Sequence, residues 1–211
     1  MAKITRKPST YLYPAPVVLV TCGIEKPNII TLAWVGTVCS DPPMVGIAVR
    51  PDRHSHHLIE ETGEFVVNIP GEELLEATDR CGHASGREID KFAATGLTPE
   101  PASEVRTPLI AECHVNMECK VRQKLELGAH DLFLGEVVAV HIDEEILDEA
   151  GHRIDYSSAR PFVLTFAEYR GLGEPLGTYG CSVKREESPA PRPDPASKKG
   201  PRTLRALWLA S

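Results

Sequence analysis

Apolar residues along this chain follow the strand period more often than the helix period. Val17-Val18-Leu19-Val20-Thr21-Cys22 is an apolar, β-branched run and predicts a buried strand. Residues 23–28 hold Gly, Pro and Asn and predict a turn. The block from Asn28 to Ser40 then predicts a strand that ends at the Pro42-Pro43 corner, and Met44 to Arg50 predicts its paired neighbour. A short helix is expected over His54 to Thr62, with Asp52 as its cap and Gly63 at its end. Glu64 to Pro70 returns to strand and is stopped by proline. Helical spacing follows over Glu72 to Asp79 and Glu88 to Ala94, broken by Gly82 and Gly86, and a proline-rich loop runs from Thr95 to Pro108. Glu112 to Gln123 alternates, with His114, Asn116, Glu118 and Lys120 predicted on a wet face. His130 to Ile142 is more continuously apolar, and Pro161 to Ala167 predicts a last short strand. Together these elements suggest an antiparallel barrel with helical insertions.

Composition changes at Lys184. The segment to Arg202 is rich in proline and charge, has no apolar periodicity and is expected to be disordered. Leu204 to Leu209 forms a short apolar coda. The expected organisation is one domain over residues 1–183 and a tail over 184–211. The 211 residues allow one domain with a full core. A net charge of −7 argues against a nucleic-acid surface, so an anionic ligand needs a local positive pocket. No run approaches the ~18 apolar residues of a spanning helix, and Met1 to Arg6 lacks an apolar signal core, so a cytoplasmic protein is expected. The six cysteines form no C-x-x-C pair, which favours free thiols over a disulfide framework or zinc.

Chemistry concentrates in three blocks. In the first, Thr31, Ala33, Gly36 and Ser40 are small residues spaced among apolar ones, which lets backbone approach a flat ligand closely. In Arg50-Pro51-Asp52-Arg53-His54-Ser55-His56-His57, a strand ends and a helix begins. Free N–H groups at a helix start, two arginines and a hydroxyl suit a phosphate, and the alternative is a Ser-capped surface helix. His54 and His57 are spaced for one helix face, but no third metal ligand follows at suitable spacing, so no metal is expected. Ser85 with Glu88 fits a capping box, and Lys91 falls one turn beyond Arg87. No Ser-His-Asp triad, nucleophile elbow or G-x-G-x-x-G turn is present.

The blocks at 28–43, 82–92 (Gly-His-Ala-Ser-Gly-Arg-Glu-Ile-Asp-Lys-Phe) and 128–137 (Gly-Ala-His-Asp-Leu-Phe-Leu-Gly-Glu-Val), with Glu168-Tyr169-Arg170-Gly171-Leu172-Gly173, resemble the flavin reductase-like family, and the flavoredoxins within it. The resemblance implies an FMN-binding split β-barrel. It places Thr31, Leu32, Ala33, Trp34, Cys39 and Ser40 on the flavin-binding strands, and Arg50, Ser55, His56, His57, Ser85 and Lys91 at the phosphate. His56 or His57 stands where the family often has Thr. Trp34 either stacks near the ring or fills the core, and Asn68 bonds either the ring edge or a turn. Cys39 lies close to the flavin or is an inert strand thiol. His130 is implied beside the flavin ring and the nicotinamide, positioning rather than transferring protons, because hydride passes directly between cofactors.

The activity implied is transfer of hydride from NADH or NADPH to FMN, with electrons passed to flavin, another small acceptor or a redox partner protein. The other implied activity is a flavoredoxin-like electron carrier. FMN is expected rather than FAD, because no dinucleotide fingerprint exists. A homodimer that covers the flavin is expected, with no nucleic-acid or membrane partner.

Overall fold

The computed structural model describes residues 1–148 and 151–182. Residues 1–172 form one unit and the chain from Gly173 onward a second, within which Cys181 N donates to Thr178 O at 2.9 Å. The tail expected over 184–211 lies outside the described residues.

Among the described residues there are twelve strands: β1 (Ala15–Pro16), β2 (Val18–Cys22), β3 (Asn28–Leu32), β4 (Val35–Ser40), β5 (Pro43–Val49), β6 (Glu64–Ile69), β7 (Pro99–Glu100), β8 (Leu109–Ile110), β9 (Val115–Glu126), β10 (Asp131–Ile142), β11 (Phe162–Thr165) and β12 (Glu168–Gly171). The helices are α1 (His54–Thr62), α2 (Leu75–His83), α3 (Lys91–Thr95) and α4 (Tyr156–Ala159). Seven strands make one antiparallel sheet in the order β3-β2-β6-β9-β10-β5-β4. It curls into a half-barrel, assisted by bulges in the β9–β10 ladder at Leu134/Gly135 and Val137/Ala139. A Cβ at Gly135 would lie 2.6 Å from Phe65 Cζ, so only glycine lets the sheet close that tightly.

Strand alternation explains two cores. Val18, Val20 and Cys22 of β2 point into the curl with Ile47, Val49, Phe65, Cys119, Phe133 and Ile59 of α1. Leu19 points outward and packs with Ile29, Cys81, Phe92, Leu97 and Ile110 beneath α2 and α3. Both faces of β2 are therefore dry, as its unbroken apolar run requires.

Several local expectations are corrected. The block 28–40 is not one strand: it bends at Ala33-Trp34, and β3 and β4 lie on opposite edges of the sheet. The β4–β5 pairing stands. Helix α1 begins as expected and ends on Gly63 in the left-handed conformation (φ 69°), but Arg53 is its N-cap and no side chain caps it. Asp52 instead accepts from Arg50 Nε at 3.3 Å. The capping box does not form a helix: Ser85 to Ile89 is a turn, and α3 starts at Lys91, capped by Asp90 accepting from Ala93 N. Arg87 and Lys91 therefore do not share a helix face. Residues Glu72–Leu74 are a 3₁₀ turn leading into α2, which runs through Gly82.

The predicted wet face of β9 is largely dry. Asn116 and Glu118 are 7% and 0% exposed, because the segment 97–110 lies over them and needs acceptors for its N–H groups. Glu118 takes four bonds from that segment, from Ser103 N, Ser103 Oγ, Glu104 N and Val105 N at 2.6–2.9 Å, and a fifth from His141. The expected last strand is β11, and it joins β1 and β12 in a separate small sheet.

Candidate functional site

The turn of β5 into α1, strand β3, the end of α2 and the turn 84–87 line one cleft of about 230 Å³. That volume lies just below the roughly 300–1,000 Å³ of typical ligand sites, as suits a cleft that is open on one side. Four fixed cations, Arg50, Arg53, Arg87 and Lys91, line it with one carboxylate, Asp52. In a chain of net charge −7 this is the local positive site that an anionic ligand requires. The first residues of α1, His54 and Ser55, line the same wall, so the positive end of the helix macrodipole adds to the field.

The floor is tightly built. Lys91 is 5% exposed, and its Nζ donates to Ile29 O at 2.7 Å and Cys81 O at 2.6 Å. Burial lowers its pKa, opposed by the nearby Cys81 and Cys22 thiols. An ammonium has three donors, so one remains for a ligand. Ser55 is 2% exposed and accepts from Asn28 Nδ2 at 2.8 Å, while its own hydroxyl proton has the Cys22 sulfur behind the wall and the cleft in front as alternative acceptor sides. A Cβ at Gly86 would meet Asn28 Oδ1 at 2.1 Å, so glycine there protects the Asn28–Ser55 bond. Arg87 Nη1 donates to Asp52 O at 3.0 Å and ties the 84–90 turn to the α1 approach. Burial and Arg87 lower the pKa of His54.

Trp34 stands over His130 at the mouth, ring centroids 4.5 Å apart and planes tilted by 41°. Burial, then Arg50, lowers the pKa of His130, which favours the neutral imidazole. Burial also raises the Cys81 thiol, and it pushes Cys22, just behind the wall, up to about 12.

The residues anticipated from sequence divide sharply. Thr31, Leu32, Arg50, Ser55, Ser85, Lys91 and His130 all line the cleft. The Thr31 hydroxyl is already committed to Thr78 O at 2.6 Å. Ala33 and Trp34 line an adjoining groove with Tyr11 and Leu12, and Trp34 reaches the mouth through His130. Cys39 and Ser40 sit at the far end of β4, opposite Met44 and Pro43, and are not in the wall. His56 is turned into the core, where it bonds Asp131 at 2.8 Å and packs on Phe133. His57 faces solvent, 3.8 Å from Glu61. Asn68 is fully buried: its amide donates to Leu19 O, Thr21 Oγ1 and Val66 O, and its Oδ1 accepts from Ile110 N and Asn116. It serves the segment over β9, not the cleft.

The wall residues outside the anticipated set include three with polar or charged side chains that shape the floor and rim: Asn28, His54 and Arg87. Arg87 shares the S-G-R-E-I-D-K run with Lys91, and His54 is the first residue of a helix at a phosphate-like turn. Those signals were present. Nothing in the sequence pointed to the bond between Asn28 and Ser55. Among the described residues, His114, Asp143 and Glu145 cluster on another surface.

Comparison with known proteins fits this architecture. The fold matches the flavoredoxin of Desulfovibrio vulgaris (Miyazaki F), with TM-score 0.80, 32% identity, and coverage of 86% of this chain and 100% of that one. It matches the flavoredoxin of Methanosarcina acetivorans with TM-score 0.79, 32% identity, and coverage of 87% and 100%. An uncharacterized protein of Archaeoglobus fulgidus is 41% identical over 130 residues, 62% of this chain and 73% of that protein. Residues 10–173 match the family profile of the flavin reductase like domain, so the chain, with its mainly β split barrel, belongs to the flavin reductase-like family.

Proposed function

We propose that this protein binds FMN in the cleft and is an NADH- or NADPH-dependent oxidoreductase that passes electrons to flavin, another small acceptor or a redox partner protein. The observation that carries the reading is the cluster of fixed cations around the start of α1 in an acidic chain. Lys91 from the floor, Ser55 and the N-terminal turn of α1, with Arg53 and Arg87 beside them, are the groups for the phosphate. The edge of β3 walls the remainder, and the Trp34–His130 pair stands where a flat ring and its reaction partner meet solvent. A bound flavin supplies the two-electron chemistry, accepting hydride and releasing electrons to an acceptor. The protein's work is to bind, orient and exclude water. A neutral His130 offers one ring N–H or one lone pair to an incoming carboxamide without adding charge.

FMN is favoured over FAD because one compact cationic floor suits one phosphate, and no glycine-rich dinucleotide turn is present. The purified protein should be yellow, and its released cofactor should run as FMN on chromatography. FAD as the dominant species rejects this assignment. Anaerobic addition of NADH and NADPH to the holoprotein should bleach the flavin band. Failure of both donors, with FMN bound, favours the second reading, a flavoredoxin-like carrier reduced by another protein. The likeness to two flavoredoxins across their whole lengths supports that alternative.

We further propose a homodimer. Trp34 (44% exposed), Val38 (53%) and Tyr11 (66%) leave an apolar surface on the β4 edge and the groove beside the mouth. A second copy there would shield the flavin from water and oxygen.

A further inference from the structure

The cations of the cleft fall into two groups at different depths. Lys91 is buried on the floor beside Ser55. Arg50 is on the lip, with its side chain 51% exposed, and among the described residues it pairs with the similarly exposed Asp52 at 3.3 Å. The register of β5 and β10 pairs Val49 with Asp131, which sets Arg50 and His130 side by side just beyond the end of that ladder. Ala48 N donates to Trp34 O at 2.9 Å, so Trp34, His130 and Arg50 are held on the same lip.

Charge balance gives the lip group a task. Four fixed cations face one carboxylate in the cleft. A phosphomonoester carries about −1.5 to −2, so a flavin phosphate leaves positive charge over. An exposed Arg–Asp pair is worth little and exchanges readily for a stronger anion. A nicotinamide dinucleotide brings its own phosphates to this mouth, and the chain has no G-x-G-x-x-G turn to receive them on backbone N–H groups. Side chains must do it, and a guanidinium fits a phosphate in two-pronged fashion.

Resting on the flavin assignment above, we propose that Arg50, beside His130, forms an anion subsite separate from the flavin-phosphate floor and takes a phosphate of the nicotinamide donor. Arg50 thereby becomes a specificity-determining residue for the donor rather than a flavin ligand. The shared chemistry is a phosphate, which comes either from the pyrophosphate of both donors or from the additional 2′-phosphate of NADPH.

The test uses the FMN-loaded full chain, with NADP⁺ and NAD⁺ as non-reducing probes in calorimetry, and separate FMN titration of the apoprotein. Arg50→Ala should weaken NADP⁺ binding by about ten- to a hundredfold, the range of a charge-assisted hydrogen bond. FMN affinity should stay within about threefold. Equal loss for NAD⁺ assigns the pyrophosphate, and loss for NADP⁺ alone assigns the 2′-phosphate. Arg50→Lys should restore part of the affinity. Lys91→Ala should show the opposite pattern, losing FMN. If Arg50→Ala weakens FMN tenfold with NADP⁺ unchanged, or changes neither, the subsite is refuted. If the wild-type holoprotein binds FMN but neither dinucleotide, the donor subsite falls while the flavin site stands. If the wild type binds no FMN, the flavin assignment itself fails, and this inference with it.

Discussion

Lys91 joins the fold to the site through one nitrogen. Its two carbonyl partners are buried, so Lys91→Ala strips a ligand donor and also strands Ile29 O and Cys81 O. Each stranded acceptor costs about 1–3 kcal/mol. We expect Lys91→Ala to lower the melting temperature as well as FMN affinity, the latter by roughly ten- to a hundredfold. A melt equal to wild type would show that the two carbonyl bonds are not held in solution. His130 gives the contrasting case. It sits half-buried at the mouth and ties down nothing in the core. Exchange for alanine should slow NADH or NADPH oxidation more than it loosens FMN, and steady-state kinetics beside a flavin titration will separate the two. The residues from His54 to His57 also show where sequence stops being informative. Their order marks a helix start, but successive helical residues point about 100° apart. Which of them face the cleft is set by how Ile59 seats the helix on the core. His54 and Ser55 won that position, His56 went to Asp131 and His57 to water.

Most elements were legible as runs with a strand or helix period, because a buried strand such as β2 needs no partner information to be recognised. What covers a strand is a different matter. The alternation of β9 reads as one wet face, and only the fold reveals that the segment 97–110 lies upon it. Glu118 is the consequence. Burial alone would raise its pKa, but the backbone bond from Ser103 and the bonds from His141, the Ser103 hydroxyl and Glu104 bring it down to about 2. A carboxyl whose folded pKa lies below its ordinary 4.5 stabilises the fold above that pH and loses the contribution as pH falls toward 2. The difference corresponds to roughly 3 kcal/mol. Glu118→Gln should therefore be destabilised by a few kcal/mol at neutral pH, with the gap to wild type closing below about pH 4. Denaturant melts across that range provide the check, and a gap independent of pH would mean the carboxylate charge is not what holds the segment. Of the two partners open to Asn68, the fold supplies backbone, for the same reason: the amide is buried under the segment that covers β9 and bonds Leu19 O, Val66 O and Ile110 N.

For the whole molecule, the family and the split barrel were recoverable from three short blocks, because those blocks supply the close backbone approaches and the cationic floor. Assembly was not, since nothing in one chain fixes what covers an exposed edge. If a second copy covers the β4 edge, light scattering on the FMN-bound protein should give twice the 23.1 kDa chain mass. A single-chain mass at micromolar concentration with flavin retained would reject the dimer.

The two residues between β3 and β4 carry a consequence for how the chain reaches this form. They join strands on opposite edges of the seven-stranded strip, so the two edges are tied by the chain itself and the strip must roll to let it pass from one to the other. The ladders between those edges include the distant pairing of β6 with β9. Topologies that depend on such non-local pairing fold slowly. Trp34 stands on the seam itself, held to β5 by its carbonyl, and meets His130 once β5 has paired with β10. Its emission is thus a natural probe of the β5–β10 side of the strip, reporting when that ladder and the lip beside the cleft have formed.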